Sequence, residues 1–388
     1  MKLKICVATG GRADYGLLKK LILLIKKDNF FKLQTLVTGS HLEKKYGYTI
    51  NEIKNDKIRI TKKIFLNISS DTPEKISELI SIGIKKFTMS IKDLKPDLIL
   101  VLGDRYEIFS LVTAAHVMGI PIAHLHGGET TEAALDEAFR HSITKMSDLH
   151  FVANKIYQKR VRQLGENKKN IFSVGGLSVD QINIKELYTR SEIEKKLRIK
   201  LYKNIFLITY HPETLKQNKN NNDILPLLNS LKKLKNKNLI FTIPNSDTYN
   251  HKIYNQIKSF VGKHKNSHLF KSLGHKLYLS IINHSDCVIG NSSSGLSEAP
   301  YFKKPTINIG DRQKGRIKVK SIIDTEMNSK KISNALKKIE KTDFKKNLKN
   351  VISPYGSGGA GKKIIKILKK IDIKNLKSKK FFDLKFKY

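Results

Sequence analysis

The sequence lacks tryptophan, holds only two cysteines, and contains no apolar run long enough to cross a membrane. Cys6 and Cys287 lie in apolar, strand-like runs, which favours buried thiols in a reducing compartment. The first residues, MKLKICVATGGRADYG, contain an apolar run too short for a secretory signal, and glycines follow it instead of a cleavage site. These absences predict a cytoplasmic protein without a membrane partner.

Acidic residues are also scarce. The 388 residues include 34 aspartates and glutamates against 74 lysines and arginines, which gives a net charge of +40. A surplus of this size is common among nucleic-acid-binding proteins. Most of the basic residues are lysines spread along the whole chain, however, and neither an aromatic–basic RNA motif nor a zinc-finger spacing is present. We therefore expect no nucleic-acid partner, but a positive surface that attracts an anionic ligand.

Short apolar runs alternate with segments of i, i+3, i+4 apolar spacing, a pattern typical of parallel sheets covered by helices on both faces. The strands are predicted at Lys4–Thr9, Lys32–Thr38, Asp97–Leu102, Ile120–His124, Leu149–Val152, Ile171–Val174, Asn204–Thr209, Asn238–Ile243, His268–Lys271, Cys287–Ile289 and Thr306–Ile309. Helices are predicted at Leu17–Ile25, Glu107–Met118, Ser191–Leu197, Gly274–Ile282 and Gly361–Ile371.

The alternation stops in the polar stretch between Gly175 and Tyr202 and then restarts, which indicates a domain boundary. The predicted fold class is α/β, with two Rossmann-like doubly wound domains facing a cleft. We expect the first domain at residues 1–178, the second at 200–355, and a C-terminal helix with a basic tail at 356–388. The lysine-rich end, Asn375–Tyr388, is expected to be loose.

Three motifs in the first half follow predicted strands. The run Gly10–Gly16 holds Arg12, which suggests contact with an anion, although an ordinary strand–helix turn also fits. Asp104 and Arg105 occupy an active-site position at a strand end, where Asp104 could also cap the next helix. The run HLHGGE brings His126 and Glu129 together, which favours acid–base chemistry over a metal site because no further ligand set is evident.

A predicted helix carries Asp136, Glu137, Arg140 and His141. Asp136 and Arg140 are four residues apart, so they share a face and are expected to pair. In the second half, Pro212 ends a strand and would hold His211 at its tip.

A serine-rich run opens a helix in the second half. Its residues Gly290, Asn291, Ser292 and Ser293 favour phosphate binding, and Glu298 one turn later could accept hydrogen bonds from ribose hydroxyls. The run GSGGAGK ending at Lys362 is no P-loop, because Lys363 stands where the magnesium-binding Ser or Thr is required. It is interpreted as a glycine-rich entry to the last helix.

Taken together, these runs resemble the hydrolysing UDP-N-acetylglucosamine 2-epimerases of bacterial sialic-acid and legionaminic-acid synthesis. The matching runs are GGRADYG, GDRYE, HLHGGE, DEAFRHSITKMS, YHPET, GNSSSG and the GDR of Gly310–Arg312, in the family's order. The resemblance implies a GT-B fold, a UDP-binding second domain, a UDP-sugar substrate, a homodimer or homotetramer, and no cofactor or metal.

The implied reaction converts UDP-N-acetylglucosamine and water to N-acetylmannosamine and UDP through a 2-acetamidoglucal, for nonulosonic (sialic) acid synthesis. One alternative is the same reaction on a UDP- or GDP-linked 2,4-diacetamido-2,4,6-trideoxyhexose. A non-hydrolysing 2-epimerase and a glycosyltransferase are further alternatives, since the fold is shared.

The resemblance also implies roles for particular residues. Asp104 and Asp136 match acid/base groups, and His211 and Arg12 match residues near the diphosphate. His211 is also expected among the catalytic residues. Further substrate contacts are expected from Arg105, Arg140, Gly290, Asn291, Ser292, Ser293, Glu298 and Arg312. Some relatives have a glutamate where this chain has His126. The second acid/base group therefore stays open among His126, Glu129 and Asp136.

Overall fold

The structure is a computed structural model. It describes residues 2–69, 72–131, 135–211, 224–234, 236–243, 250–271, 273–377 and 379–384. Pro212, which was predicted to end a strand, lies outside these residues. Within the described ranges, no helix combines the length and the apolar character that a membrane span requires.

The chain forms two compact units. The first takes Met1–Glu129, Leu135–Gln181 and Gly358–Tyr388. Its strands are β1 (Leu3–Thr9), β2 (Phe31–Thr38), β3 (Lys62–Ile64), β4 (Leu98–Leu102), β5 (Ile122–Leu125), β6 (Leu149–Val152) and β7 (Ile171–Ser173). Its helices before residue 182 are α1 (Arg12–Lys27), α2 (Ile50–Asn55), α3 (Pro73–Leu94), α4 (Tyr106–Val117), α5 (Asp136–Met146), α6 (Lys155–Gln163) and α7 (Leu177–Asp180).

The seven strands form one parallel sheet in the order β3-β2-β1-β4-β5-β6-β7. Apolar side chains cover both of its faces, which explains why β4 reads LILVL with every residue buried. The direction of strand addition reverses between β1 and β4. The carboxyl ends of these two strands therefore flank the crevice where ligands bind in such sheets.

The second unit, made chiefly of Ile182–Ser357, repeats this plan. Its strands are β8 (Asn204–Thr209), β9 (Lys237–Thr242), β10 (Ser267–Phe270), β11 (Cys287–Gly290), β12 (Thr306–Ile309) and β13 (Ile322–Thr325). Its helices are α8 (Arg190–Leu197), α9 (Leu225–Leu231), α10 (Asn250–Lys263), α11 (Gly274–His284), α12 (Ser294–Tyr301), α13 (Ser329–Glu340) and α14 (Thr342–Leu348). The parallel order β10-β9-β8-β11-β12-β13 reverses between β8 and β11, so the predicted fold class of two Rossmann-like domains is confirmed.

The sequence analysis does not predict two of the strands, β3 and β13. Both lie at the edge of their sheet, have three or four residues, and are only partly buried. Because an edge strand has a neighbour on one side only, it needs no continuous apolar run. The periodicity that marks the central strands is therefore missing from these two.

The last helix, α15 (Ala360–Leu368), packs against the first unit, and its Ile364 and Leu368 are buried in that core. The carboxylate of Asp180 accepts hydrogen bonds from the backbone N–H groups of Gly359 at 2.6 Å and Gly361 at 2.8 Å. Gly359 has a φ of +83°, which favours glycine. The interpretation of this run as a helix entry is confirmed.

The expectation of a loose C-terminal end is wrong for residues 379–382. The Lys379 ammonium forms an ion pair with the buried Glu166 at 2.7 Å and also donates to the carbonyl of Ser147. The Phe382 N–H donates to the carbonyl of Gly165 at 2.9 Å. These contacts could not be predicted from the sequence, because a lysine that pairs with a buried carboxylate cannot be distinguished from the other lysines of a lysine-rich segment.

Candidate functional site

Asp104 and Arg140 form an ion pair at the carboxyl end of β4. Asp104 follows a glycine with a φ of +84°, and Arg140 lies on α5 with only 2% of its side chain exposed. The Arg140 Nη2 donates to the Asp104 Oδ2, and its Nη1 donates to the carbonyl oxygen of Glu129 at 3.1 Å. A charge-assisted bond from a buried guanidinium fixes the position of this carboxylate.

Asp104 does not cap the following helix. α4 begins at Tyr106, its N-cap is Arg105, and no side chain caps its first N–H groups. The capping alternative for Asp104 is therefore wrong.

The predicted pair between Asp136 and Arg140 is wrong. The partner of Arg140 on its own helix is Glu137, whose carboxylate accepts from Nη1. Among the described residues, the two carboxylates within ion-pair distance of Arg140 belong to Glu137 and Asp104. Residues three apart on a helix also share a face, so Glu137 competes for the same guanidinium.

Asp136 is a half-buried carboxyl group with a perturbed proton affinity. Burial, together with the negative charge of Asp104, raises its pKa to about 6, while Arg105 opposes the rise. Burial disfavours the charged form of a carboxylate, and a second carboxylate adds to the effect. Asp136 can therefore gain and lose a proton near neutral pH, as an acid–base group must.

Both ring nitrogens of His126 form hydrogen bonds within the protein. Its Nδ1 lies 2.8 Å from Glu129 Oε1, and its Nε2 accepts a hydrogen bond from the backbone N–H of Leu177 at 3.1 Å. Because Nε2 accepts, the proton sits on Nδ1 and points to Glu129. Of the three candidates for the second acid/base group, His126 is thus held in one tautomer, and the nearly buried Glu129 is held by His126.

The loop after β1 carries Arg12, the residue expected to contact an anion. Arg12 opens α1 and pairs with Glu52 at 3.2 Å, with about half of both side chains exposed. Asp14 holds the loop, because its Oδ2 accepts from the Gly10 N–H at 2.7 Å and from Thr9 Oγ1 at 3.1 Å. Burial raises the pKa of Asp14 to about 6.

Two residues next to these groups were missed by the sequence analysis. His124 is fully buried, burial lowers its pKa to about 3, and its Nε2 donates to the carbonyl of Gly103 at 2.8 Å. It therefore supports the turn that carries Asp104. Glu107, also buried, accepts from Arg105 Nε at 2.9 Å. Its place two residues after Arg105, near a strand's carboxyl end, was the available signal.

In the second unit, His211 and Asn291 follow β8 and β11, and the Asn291 side chain binds the His211 backbone. The Asn291 side chain accepts from the His211 N–H at 2.7 Å and donates to the His211 carbonyl at 2.8 Å. Gly290 comes immediately before, with a φ of +129°, and a Cβ there would lie 1.9 Å from the carbonyl oxygen of Thr209. Glycine is therefore required where these two strands separate.

Arg312 lies beside this turn, where its Nη1 donates to the carbonyl of Asn291 at 3.2 Å. Burial and the charge of Arg312 lower the pKa of His211 to about 3, so its imidazole is neutral near pH 7. The buried Gln313, which was not predicted, donates to the same carbonyl at 2.8 Å.

The serine-rich run begins α12. Ser293 is its exposed N-cap residue and makes no side-chain capping bond, while Ser292 Oγ accepts from the Ser294 N–H at 3.4 Å. Ser292 Oγ lies 3.0 Å from Ser294 Oγ, which in turn lies 2.5 Å from the hydroxyl of Tyr278. An exposed helix N-terminus with hydroxyl donors is suited to an anionic oxygen.

Glu298 lies one turn into α12. Its carboxylate accepts from Ser297 Oγ, and burial raises its pKa. Within the part of the chain that the structure describes, no cluster of three or more His, Cys, Asp or Glu side chains is arranged to hold a metal ion.

The structure thus brings the predicted residues into two groups, one in each unit. The first group contains Asp104, Arg105, His126, Glu129, Asp136 and Arg140. The second contains His211, Gly290, Asn291, Ser292, Ser293, Glu298 and Arg312. Arg12 pairs away from the first group, with Glu52 of α2.

Comparison with known proteins gives a consistent result. The family model described as UDP-N-acetylglucosamine 2-epimerase matches residues 24–369. The chain is 43% identical, over 99% of its length and all of the relative's, to the GDP/UDP-N,N'-diacetylbacillosamine 2-epimerase (hydrolyzing) of Campylobacter jejuni. It is 37% identical to polysialic acid biosynthesis protein P7 of Escherichia coli, over 98% of this chain and 97% of that one.

The UDP-N,N'-diacetylbacillosamine 2-epimerase (hydrolyzing) of Legionella pneumophila is 31% identical, over 95% of this chain and 96% of the relative. Among solved structures, the UDP-GlcNAc 2-epimerase of Neisseria meningitidis bound to UDP-GlcNAc superposes with a TM-score of 0.72 at 20% identity, covering 95% of this chain and all of that one. This likeness shows the GT-B-like fold. The chain therefore belongs to the UDP-N-acetylglucosamine 2-epimerase family, among its hydrolysing members.

Proposed function

We propose that this protein is a hydrolysing 2-epimerase that acts on a UDP- or GDP-linked 2,4-diacetamido-2,4,6-trideoxyhexose. The substrate would be N,N'-diacetylbacillosamine linked to the nucleotide, and the products would be the free 2-epimeric sugar and the nucleoside diphosphate. The observation that carries this choice is the 43% identity, over the whole length of both chains, to a relative that bears that substrate in its name. This identity favours the diacetamido substrate over UDP-N-acetylglucosamine, which was the first expectation from the sequence.

The chemistry needs two proton transfers at C2 of the sugar. A base removes the C2 proton while the nucleoside diphosphate leaves C1, which gives a glycal. Water then adds its hydroxyl to C1, and a proton returns to C2 from the opposite face. The sum is one nucleotide sugar and one water giving one free sugar and one nucleoside diphosphate.

In this proposal Asp136 is the base. A carboxyl group with a pKa of about 6 is a stronger base than an ordinary carboxylate, and it is still largely ionised at pH 7 or above. Asp104, fixed by Arg140, takes a proton from the attacking water and passes it to C2. The proton on Asp136 returns to solvent when the products leave. The ring of His126, held at both nitrogens, orients Glu129 and does not transfer a proton.

The second unit binds the nucleoside diphosphate in this proposal. The N-terminus of α12, with Ser292 and Ser293, and the guanidinium of Arg312 suit the diphosphate, and Glu298 suits the ribose hydroxyls. Departure of the nucleotide carries much of the barrier because the C2 proton is weakly acidic. Cationic and N–H donors that stabilise the diphosphate therefore contribute directly to the rate.

The test is a substrate panel with the purified protein. UDP- and GDP-diacetylbacillosamine and UDP-N-acetylglucosamine are each incubated with enzyme, and free UDP or GDP is measured by anion-exchange chromatography. We expect kcat/KM for one of the diacetamido substrates to exceed that for UDP-N-acetylglucosamine by about a hundredfold or more, because a pocket built for the second acetamido group loses hydrogen bonds without it. A preference for UDP-N-acetylglucosamine would overturn the choice of substrate.

A further inference from the structure

Glu107 is a buried carboxylate that the reaction scheme above does not use. It lies in the first turn of α4 with about 1% of its surface exposed. One oxygen, Oε1, accepts from Arg105 Nε at 2.9 Å. The other, Oε2, is buried and has no hydrogen-bond partner among the described residues. Burying a charge with half of its bonding capacity unused is costly, so a stable fold gains nothing from it.

Two glycines make the space that Glu107 occupies. A Cβ on Gly10 would lie 2.6 Å from Glu107 Oε1, and a Cβ on Gly39 would lie 3.1 Å from the same atom. Gly39 also has a φ of +60°. Because larger residues after β1 and β2 would displace the carboxylate, the local sequence is arranged around Glu107.

Arg105 connects Glu107 to the proposed base. Its side chain is about half exposed, and its charge acts on Asp136. Because the Nε–H is used on Glu107, the terminal N–H groups are what Arg105 offers to an anionic ligand. A guanidinium fixed through Nε by a rigid acceptor loses less freedom when it binds.

The charge of Glu107 also acts on its surroundings. It favours the protonated forms of Asp136 and of Asp14. The charged and titratable groups around Glu107 and Asp136 are Asp14 on α1, Asp104 after β4, Arg105 and Tyr106 at the start of α4, and Arg140 on α5.

We propose that Glu107 is a positioning residue for the 2-epimerase reaction. Its carboxylate holds Arg105 beside Asp136, so that the terminal N–H groups of Arg105 meet the negative charge that develops on the departing nucleoside diphosphate. This inference rests on the proposed function. Glu107 itself touches no reacting atom, and its effect on the rate passes through Arg105 and Asp136.

The test compares Glu107→Gln, Arg105→Lys and the double variant. Glutamine keeps the shape of Glu107 and removes its charge, while lysine lacks the Nε–H donor. We expect each single variant to lower kcat about ten- to a hundredfold with little change in KM, because the interaction develops as the nucleotide leaves. The double variant should be no more than about threefold slower than Arg105→Lys alone, because both changes break one connection.

Glu166→Gln is the matched control. Glu166 is equally buried in the same unit and binds His150 and Lys145, neither of which is assigned to the site. The Glu166→Gln variant should lower the melting temperature at least as much as Glu107→Gln does, while its kcat stays within about twofold of that of the unchanged enzyme. If the loss of activity in Glu107→Gln were matched in Glu166→Gln, or if the losses in the double variant multiplied, the proposal would be overturned.

A second measurement does not depend on turnover. In protein with ¹³C-labelled aspartate carboxyl groups, the Asp136 resonance is assigned by its loss in Asp136→Asn and titrated with pH. Glu107→Gln should shift the Asp136 titration to higher pH, because Arg105, once released, no longer lowers the pKa of Asp136, and this effect is larger than that of the Glu107 charge. Glu166→Gln should leave the titration in place. A titration in Glu107→Gln that is unchanged or shifted to lower pH refutes the inference. A shifted titration in a protein that releases nucleotide from no substrate refutes the proposed function instead.

Discussion

The side-chain amide of Asn291 holds the backbone of His211 at both ends, through a 2.7 Å bond from the His211 N–H and a 2.8 Å bond to its carbonyl. The two residues follow β11 and β8, whose last residues, Gly290 and Thr209, are paired in the sheet. Asn291 is fully buried, and both atoms of its amide are used within the protein. The side chain of Asn291 therefore positions the backbone of His211.

Asn291→Asp should weaken UDP binding about tenfold or more. The aspartate keeps the acceptor for the His211 N–H but loses the donor, which leaves the His211 carbonyl facing a buried negative charge. Isothermal calorimetry with UDP measures the effect. Asn238→Asp is the control, since Asn238 is also fully buried and donates to the carbonyl of Tyr202 at the opposite end of the same sheet. Equal UDP affinity in both variants would refute the role given to Asn291.

Asp104→Asn should lower kcat by about a hundredfold or more, since the amide cannot take a proton from water. UDP binding should stay within about threefold, because the nucleotide is assigned to the second unit. Asp97→Asn is a control at the other end of the same strand: Asp97 precedes β4 and accepts from the Lys4 N–H at 2.7 Å. Near-normal turnover in Asp104→Asn would exclude Asp104 from proton transfer.

Asp136 should link both activity and stability to pH. Its pKa is about 6 in the folded protein and 3.8 in its ordinary state, so the folded chain binds this proton more tightly than the unfolded chain does. That contribution to stability is complete below about pH 4 and is lost as the pH rises through about 6. Asp136→Asn should therefore raise the melting temperature by a few degrees, about 2–4 °C, at pH 8 and have less effect at pH 4.

The activity should depend on pH in the opposite direction to the stability, and rise as the pH increases. With Asp136 as the base, kcat/KM should rise with pH through about 6 and level off above about pH 7, and Asp136→Asn should lose the activity and this dependence together. Calorimetry at the two pH values and a pH–rate profile check both parts. A melting-temperature gain that is larger at pH 4 than at pH 8 would contradict the raised pKa.

His126→Asn should cost less than about tenfold in kcat and leave the shape of the pH–rate profile unchanged, because His126 orients a neighbour and transfers no proton. The backbone at His126 has a φ of +65°, which asparagine tolerates. A loss of about a hundredfold or more, together with the disappearance of one limb of the profile, would instead assign His126 as the second proton-transfer group.

The central architecture of the chain could be predicted from its sequence, because buried parallel strands are continuous apolar runs that end in glycine and polar residues. β4 and β11, with Asp104 and Asn291 just after them, are the clearest cases. The edge strands β3 and β13 could not be found in this way, since partial exposure removes the apolar run.

Which side chains pair with each other in the site was harder to predict than where the site residues lie in the fold. A helical spacing of four suggested that Arg140 pairs with Asp136, but spacing cannot show that Asp104, 36 residues earlier, approaches the same guanidinium. It also cannot show that both nitrogens of His126 are used, one of them by the backbone of Leu177, 51 residues later. These contacts depend on how neighbouring strands bring their carboxyl ends together.

The central claim is that the protein hydrolyses a nucleotide sugar with inversion at C2, and proton NMR in deuterated water tests it most directly. Purified protein is incubated with UDP- or GDP-diacetylbacillosamine, and with UDP-N-acetylglucosamine in parallel. The account predicts free nucleoside diphosphate and a free 2-epimeric sugar that carries deuterium at C2, because the returning proton comes from solvent. A 2-epimer still linked to the nucleotide, or a free sugar that keeps its original C2 proton, would contradict it.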